Sequence, residues 1–337
     1  PYALAENNRF GPGEAEALRA ALSGRLAQLR SVAAEEAVAD SPIFQLLGEG
    51  YGAPDIARLK TDVFRDRARY SAEQKRRLAD ARRRRDREAL VRFEEGLGPL
   101  DGVEAGVLVD LFLSYRAVQA WDRMIELHAR LPLTLQRTVM VREQLAFALN
   151  RAGRRREAIE ILEGVEERKE ATSETYGLLG RVYKDMWVDA AGGDESLAAG
   201  YLDRAVAAYV RGFESDWRDA FPGVNALTLL EIKGDEESLR AKSELLPVVT
   251  YAVGRRLKSA RPDYWDYAAM LELAVLGDDE RRARSLLGDA LAAVREPWEP
   301  LTTANNLTLI RDARRRRGVE QTWLDDLTAR LERAGAA

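Results

Sequence analysis

From about residue 100 the apolar positions recur with a period that no single helix produces. Phe112, Ala146 and Gly180 stand 34 residues apart, as do Leu111, Leu145 and Leu179, and Tyr115, Leu149 and Tyr183. "WDRMIELHARL" from Trp121 aligns at the same offset with "RREAIEILEGV" from Arg155. Within each unit the spacing is helical: Tyr176, Leu179, Gly180 and Tyr183 of "YGLLGRVYKD" share one face. Earlier in the chain Leu18, Leu22, Leu26 and Leu29 form another such face. Ser71 is placed to cap a long helix running to about Gly96. "DSPIFQLLGEGYGAPD" breaks the pattern with prolines and glycines and reads as a loop. Alternating β-branched runs are scarce, so few strands are expected.

A period of 34 with two amphipathic helices per unit is the signature of tetratricopeptide repeats. Each unit leaves an apolar face that only its neighbour covers, so the array is expected to fold as one all-α solenoid. A small residue at the eighth position lets the paired helices approach. Ala146 and Gly180 meet that need, and Phe112 departs from it. The small partner twelve residues on is Ala158 in the second unit, but in the third it arrives 13 residues late, as Ala205. An insertion is therefore expected over 186–201, as a loop or short helix packed on the array with Trp187 buried. Gly180 and Ala205 are expected at a helix–helix contact. The expected organisation is an amino-terminal segment over 1–53, linking long helices over 54–99 and the repeat array over 100–337. Further helix pairs with weaker periodicity follow residue 220.

Charge adds little and exclusions add more. Acids and bases nearly balance, at a net charge of −4, which argues against nucleic acid or an anionic membrane as the main partner. Cysteine is absent and His128 is the single histidine, so thiolate chemistry and His/Cys zinc sites are excluded. No apolar run reaches the roughly 20 residues that span a bilayer, and a cytoplasmic location is expected. Arginine outnumbers lysine and alanine is abundant, as in a GC-rich bacterial source. Residue 1 is proline, so the chain reads as part of a longer protein.

One region carries a longer signature. Gly180-Arg-Val-Tyr-Lys-Asp185, the insertion after it, Gly212-Phe213-Glu214 and Pro222-Gly223-Val224-Asn225 together resemble the central regulatory, TRAF-binding region of the apoptosis signal-regulating kinases and its bacterial relatives. The resemblance is strongest over 170–235 and extends over about 55–320. It implies a helical-repeat scaffold that gathers regulators and substrates, and in bacterial relatives a signalling or conflict-system setting behind an α/β domain. Residues 1–53 would then be open to being the tail of such a domain. Neither a Gly-rich kinase loop nor His-Arg-Asp or Asp-Phe-Gly is present, so no kinase activity transfers.

The ninth, twelfth and thirteenth positions of a repeat's first helix face the concave groove. In the third unit these are Arg181, Lys184 and Asp185, and in the second they include Asn150 and Arg151. With Asn225 of "FPGVN" they form a candidate patch for a partner's carboxylate or a ligand's phosphate. The competing expectation is that Asp185 pairs with Arg181 at i,i+4 spacing and that Asn225 only steadies a turn. Asn305 and Asn306 pose the same question on a later helix. "KTDVFRDR" (60–67) reads as a salt-bridged junction, "GEGYG" (48–52) as a turn, and His128 as a packed core residue. The arginine runs "ARRRRDRE" (81–88) and "DARRRRG" (312–318) read as solvated helix faces. No catalytic, metal or cofactor site is expected. The leading reading is a non-enzymatic protein-interaction scaffold; the alternatives are a sensor of a small anionic or nucleotide-derived ligand, and the regulatory arm of an enzyme.

Overall fold

A computed structural model describes residues 70–258 and 262–336, and all regular structure among them is helical. The expectations for 1–53, for "KTDVFRDR" and for "GEGYG" lie outside the described residues. The chain divides into two compact units, Pro1–Arg77 and Leu78–Ala337; the second holds the array.

The long helix expected from Ser71 to Gly96 is two helices. A run over 70–83 (α1) ends where Arg85 takes a left-handed φ of 52°. Asp86 then caps α2, Arg87–Glu95, by accepting from the Ala89 N–H at 2.8 Å. Ser71 lies inside α1 rather than at its cap.

Six helix pairs follow among the described residues: α3 Ala105–Ala117 with α4 Trp121–Arg130, α6 Val139–Arg151 with α7 Arg155–Glu167, α8 Ser173–Ala190 with α9 Glu195–Ser215, α10 Ala220–Lys233 with α11 Glu236–Leu257, α12 Tyr264–Leu276 with α13 Glu280–Ala292, and α14 Trp298–Arg316 with α15 Thr322–Ala336. A single turn of helix, α5 (Leu133–Gln136), precedes α6. The first helices start 34 residues apart at Ala105, Val139 and Ser173, and again at Tyr264 and Trp298. Between these stretches the frame shifts because α9 and α11 grow to 21 and 22 residues. The weak periodicity downstream is thus a change of helix length, not of architecture.

The insertion, expected as a loop or short helix, is mostly helix. Its residues lengthen α8 and α9, leaving a short turn at Ala191–Asp194. Gly192 takes a φ of 86° there, and Asp194 caps α9 by accepting from the Leu197 N–H at 2.9 Å. Continuing a helix satisfies each backbone N–H and C=O internally, whereas a loop of that length would leave them to water. Trp187 is partly buried against the main core.

Close approach of α8 to α9 rests on Gly180. A Cβ there would sit 2.7 Å from the ring of Tyr209, while Ala205, one turn earlier on α9, is fully buried. Gly223 lies in the first turns of α10, where Val249 and Phe213 leave no room for a side chain.

Each first helix touches the first helix of the next pair, giving a continuous inner layer from α3 to α14. The coil is tight enough that α10 also touches α14, two pairs on. Glu231 of α10, 2% exposed, accepts from Lys242 at 2.5 Å, from Arg314 at 3.1 Å and from Arg317. Arg314, itself 3% exposed, also reaches the Val275 carbonyl at 3.1 Å and Asp278 at 2.8 Å. The 312–318 run is therefore not a solvated face: two of its arginines close the coil. In the 81–88 run, Arg82 bonds Asp110 at 2.8 Å and Ser114 at 2.7 Å, so it too contributes a structural strut.

Candidate functional site

The start of α8 is fixed by a capping box. The Thr175 hydroxyl accepts from the Thr172 N–H at 3.0 Å, and the Thr172 hydroxyl accepts from the Thr175 N–H at 3.4 Å. The Thr175 hydroxyl also donates to the buried Glu143 of α6 at 2.5 Å, which ties the two first helices together. With that start set, helical spacing puts Arg181, Lys184 and Asp185 on the inner layer beside α6.

Asp185 is the centre of the cluster that results. Its Oδ2 accepts from Asn150 Nδ2 at 2.7 Å, and its Oδ1 lies 3.5 Å from Arg181 Nε. Asn150 is buried, and its Oδ1 has no hydrogen-bond partner. Tyr209, fully buried behind Gly180, also has an unpartnered hydroxyl. Burial pushes that phenol's pKa up, while the charge of Arg181 lowers it and that of Asp185 raises it.

Lys184 is half-buried and makes no hydrogen bond or ion pair with any described residue. Burial pushes its pKa down; the carboxylate of Glu272 opposes this, and Arg181 adds to it. Glu272 belongs to α12, so the coil carries Lys184 across α10 into its field. Glu272 is 6% exposed and burial pushes it up to about 7, against the 2.7 Å hydrogen bond from Asn306 and the charge of Lys184.

Four of the six expected residues therefore come together: Asn150, Arg181, Lys184 and Asp185. The other two do not. Arg151 is exposed and has no bond to the cluster. Asn225 donates to the Phe221 carbonyl one turn back at 3.0 Å, a bond within its own helix. Tyr209, Glu272 and Asn306 join instead. Glu272 and Asn306 had a legible signal: counted from Tyr264 and Trp298, both hold the ninth position that Arg181 holds in α8. The weak period downstream concealed it for Glu272, whereas Asn306 was one of the two asparagines already in question.

What the cluster offers chemically is hydrogen bonding with nearly balanced charge. The Arg181–Asp185 pair expected from i,i+4 spacing is present, and Asn150 adds to it. The free capacity is Lys184 Nζ, Asn150 Oδ1 and the Tyr209 hydroxyl. His128 lies elsewhere, half-buried 6.4 Å from the ring of Phe112, with its pKa pushed down by burial. Among the described residues no group of three or more His, Asp or Glu side chains is arranged to hold a metal, and no helix is long and apolar enough to cross a membrane.

The family of MAP3K TRAFs-binding domains matches residues 5–327 of this chain. The chain is similar to mouse mitogen-activated protein kinase kinase kinase 15, at 25% identity over 232 residues covering 66% of the chain and 17% of that protein. It is similar to mouse mitogen-activated protein kinase kinase kinase 5, at 28% over 205 residues covering 57% and 14%, and to human mitogen-activated protein kinase kinase kinase 6, at 28% over 280 residues covering 78% and 19%. It thus spans less than a fifth of each of these relatives. Among solved structures it is similar to a thermophilic TPR protein of Thermus thermophilus, at 15% identity and a TM-score of 0.46, covering 60% of this chain and 97% of that one.

Proposed function

Because the chain belongs to the family of MAP3K TRAFs-binding domains, we propose that it is a non-catalytic, cytoplasmic interaction module that holds a protein partner on its inner layer as a scaffold or signal relay within a larger protein. The observation that carries this reading is the family match over nearly the whole array, to a domain named for the proteins it binds. The geometry supports it. In the inner-layer cluster the Asp185 carboxylate is already paired with Asn150 and Arg181, which leaves Lys184 as the charge available to a polypeptide. Lys184 and Arg181 are the side chains that would meet a partner's carboxylate.

Replacing Arg181 and Lys184 together with alanine tests this. A protein captured by the wild-type chain from its source cells is purified and titrated against both forms. Binding weakened tenfold or more with an unchanged melting curve is the expected result. Equal binding by the variant counts against the site, and the absence of any captured protein counts against the module.

A second reading is favoured by one observation, the free capacity of Lys184, Asn150 and Tyr209 in a single cluster. These could seat a small anionic or nucleotide-derived ligand. Binding to the folded state alone would stabilise the chain by about 2.7 kcal/mol at a hundredfold excess over Kd. A thermal-shift panel of nucleotides and phosphorylated metabolites reads that directly, and no shift with any of them removes this reading.

A further inference from the structure

The overrun of α8 and α9 beyond the ordinary repeat length builds a feature that the inner-layer cluster does not use. Past the turn between α6 and α7, the end of α8 and the start of α9 stand over the first residues of α7. A shallow cavity of about 520 Å³, largely open to solvent, lies between them. Met186 and Ala190 of α8, with Leu197 and Tyr201 of α9, supply the apolar walls. Arg154, Arg155 and Arg156 supply the opposite side.

The cations are not equivalent. Arg154 is held by Glu157 through bonds of 2.7 and 2.6 Å, and Arg155 is paired with Asp189 across the cavity. Arg156 is exposed and makes no hydrogen bond or ion pair with any described residue. One positive charge is thus left over in a lining whose other charges are matched. The start of α7 adds to it, because Arg154 at the N-cap makes no side-chain capping bond there. Leu197, part of that apolar wall, is 46% exposed. So open a mouth gives a small molecule little enclosure, whereas a polypeptide segment would lie along it and cover Leu197.

We propose that this cavity docks a segment of a partner protein in which one large apolar side chain is flanked by carboxylates. The apolar group enters between Met186, Ala190, Leu197 and Tyr201, and a flanking carboxylate meets Arg156 and the uncapped start of α7. This site is separate from the inner-layer cluster, so either can fail without the other.

The test selects a displayed library of random nonapeptides on the wild-type chain, then measures the enriched peptides by fluorescence anisotropy against variants. Arg156→Glu reverses the spare charge at an exposed position where an acid favours the helix start, so the fold is expected to stay intact. Leu197→Ser removes one wall at a half-exposed site. The expected result is enrichment of peptides with an apolar residue between Asp or Glu, weakened tenfold or more by R156E and by L197S and unchanged by R181A/K184A. Peptides enriched for acids alone would overturn the proposal, as would no enrichment. Binding lost in R181A/K184A but kept in R156E would assign the peptides to the inner layer and also overturn it.

Discussion

Gly180 lacks a side chain at the one point where the Tyr209 ring occupies the space a Cβ would need. Leucine there must push an aromatic ring packed at 0% exposure, and the surrounding core gives little. The expected cost of Gly180→Leu is about 1–3 kcal/mol, read as a lower urea midpoint; an unchanged midpoint would mean that α8 and α9 are not apposed at this residue. Glu272 makes a different kind of statement, about pH. Its carboxyl is pushed up to about 7 in the folded chain, above the ordinary unfolded value. Between the two values the folded state binds the extra proton, so this residue's contribution falls as pH rises toward 7 and is flat above it. The drop is on the order of 3 kcal/mol. Glu272→Gln is expected to remove that slope between pH 5 and 7.5, measured by denaturation at each pH. A slope of equal size in the variant would place its origin elsewhere. Glu231 has the opposite sign. Burial raises its pKa, but the hydrogen bonds from Lys242 and Arg314 outweigh burial and leave it lowered, so its stabilisation is lost in acid.

At the scale of elements, the overrun of α8 and α9 depends on a turn of four residues and one cap. Asp194 satisfies the Leu197 N–H, and Gly192 supplies the left-handed turn. Asp194→Ala should cost about 1 kcal/mol, a typical value for a lost N-cap. Most of that loss should appear locally, as faster amide exchange over the first turns of α9, with α8 up to Met186 still protected. No change at Leu197–Tyr201 would show that packing of Tyr201 on the core, not the cap, holds the overrun. The capping box at Thr172 is the counterpart at the other end of α8 and sets the register that delivers Arg181, Lys184 and Asp185 to one face.

At the scale of the molecule, the coil is closed by a buried ion cluster rather than by apolar contact alone. Glu231 joins α10 to α14 through Arg314 and Arg317 and to α11 through Lys242. Removing one member of a buried cluster strands the others, at about 3–5 kcal/mol. Glu231→Ala is therefore expected to lose that much stability, since Arg314 would keep a buried charge with only the exposed Asp278 as its carboxylate and Lys242 would keep none. A loss under about 1 kcal/mol in guanidinium denaturation would mean that water reaches the arginines, as at an exposed pair, and that the coil is looser than described. The same tightness brings Lys184 of the third pair into the field of Glu272 of the fifth.

The periodic positions alone determined the helix pairs, the 34-residue repeat and the packing role of Gly180, because helical spacing and the need to bury one face are local properties of a chain. The i,i+4 pairing of Arg181 with Asp185 was legible for the same reason. The insertion was visible only as an offset: thirteen added residues say nothing about whether they form a loop or two longer helices, which depends on what lies beside them. Sequence could not reveal that Glu272 joins the third unit's cluster, that Asn225 turns back on its own helix, or that arginines in a charged run are buried against Glu231. Those outcomes follow from the curvature of the coil. That curvature is the accumulated rotation of each pair on the last, and it exists only once the helices have packed.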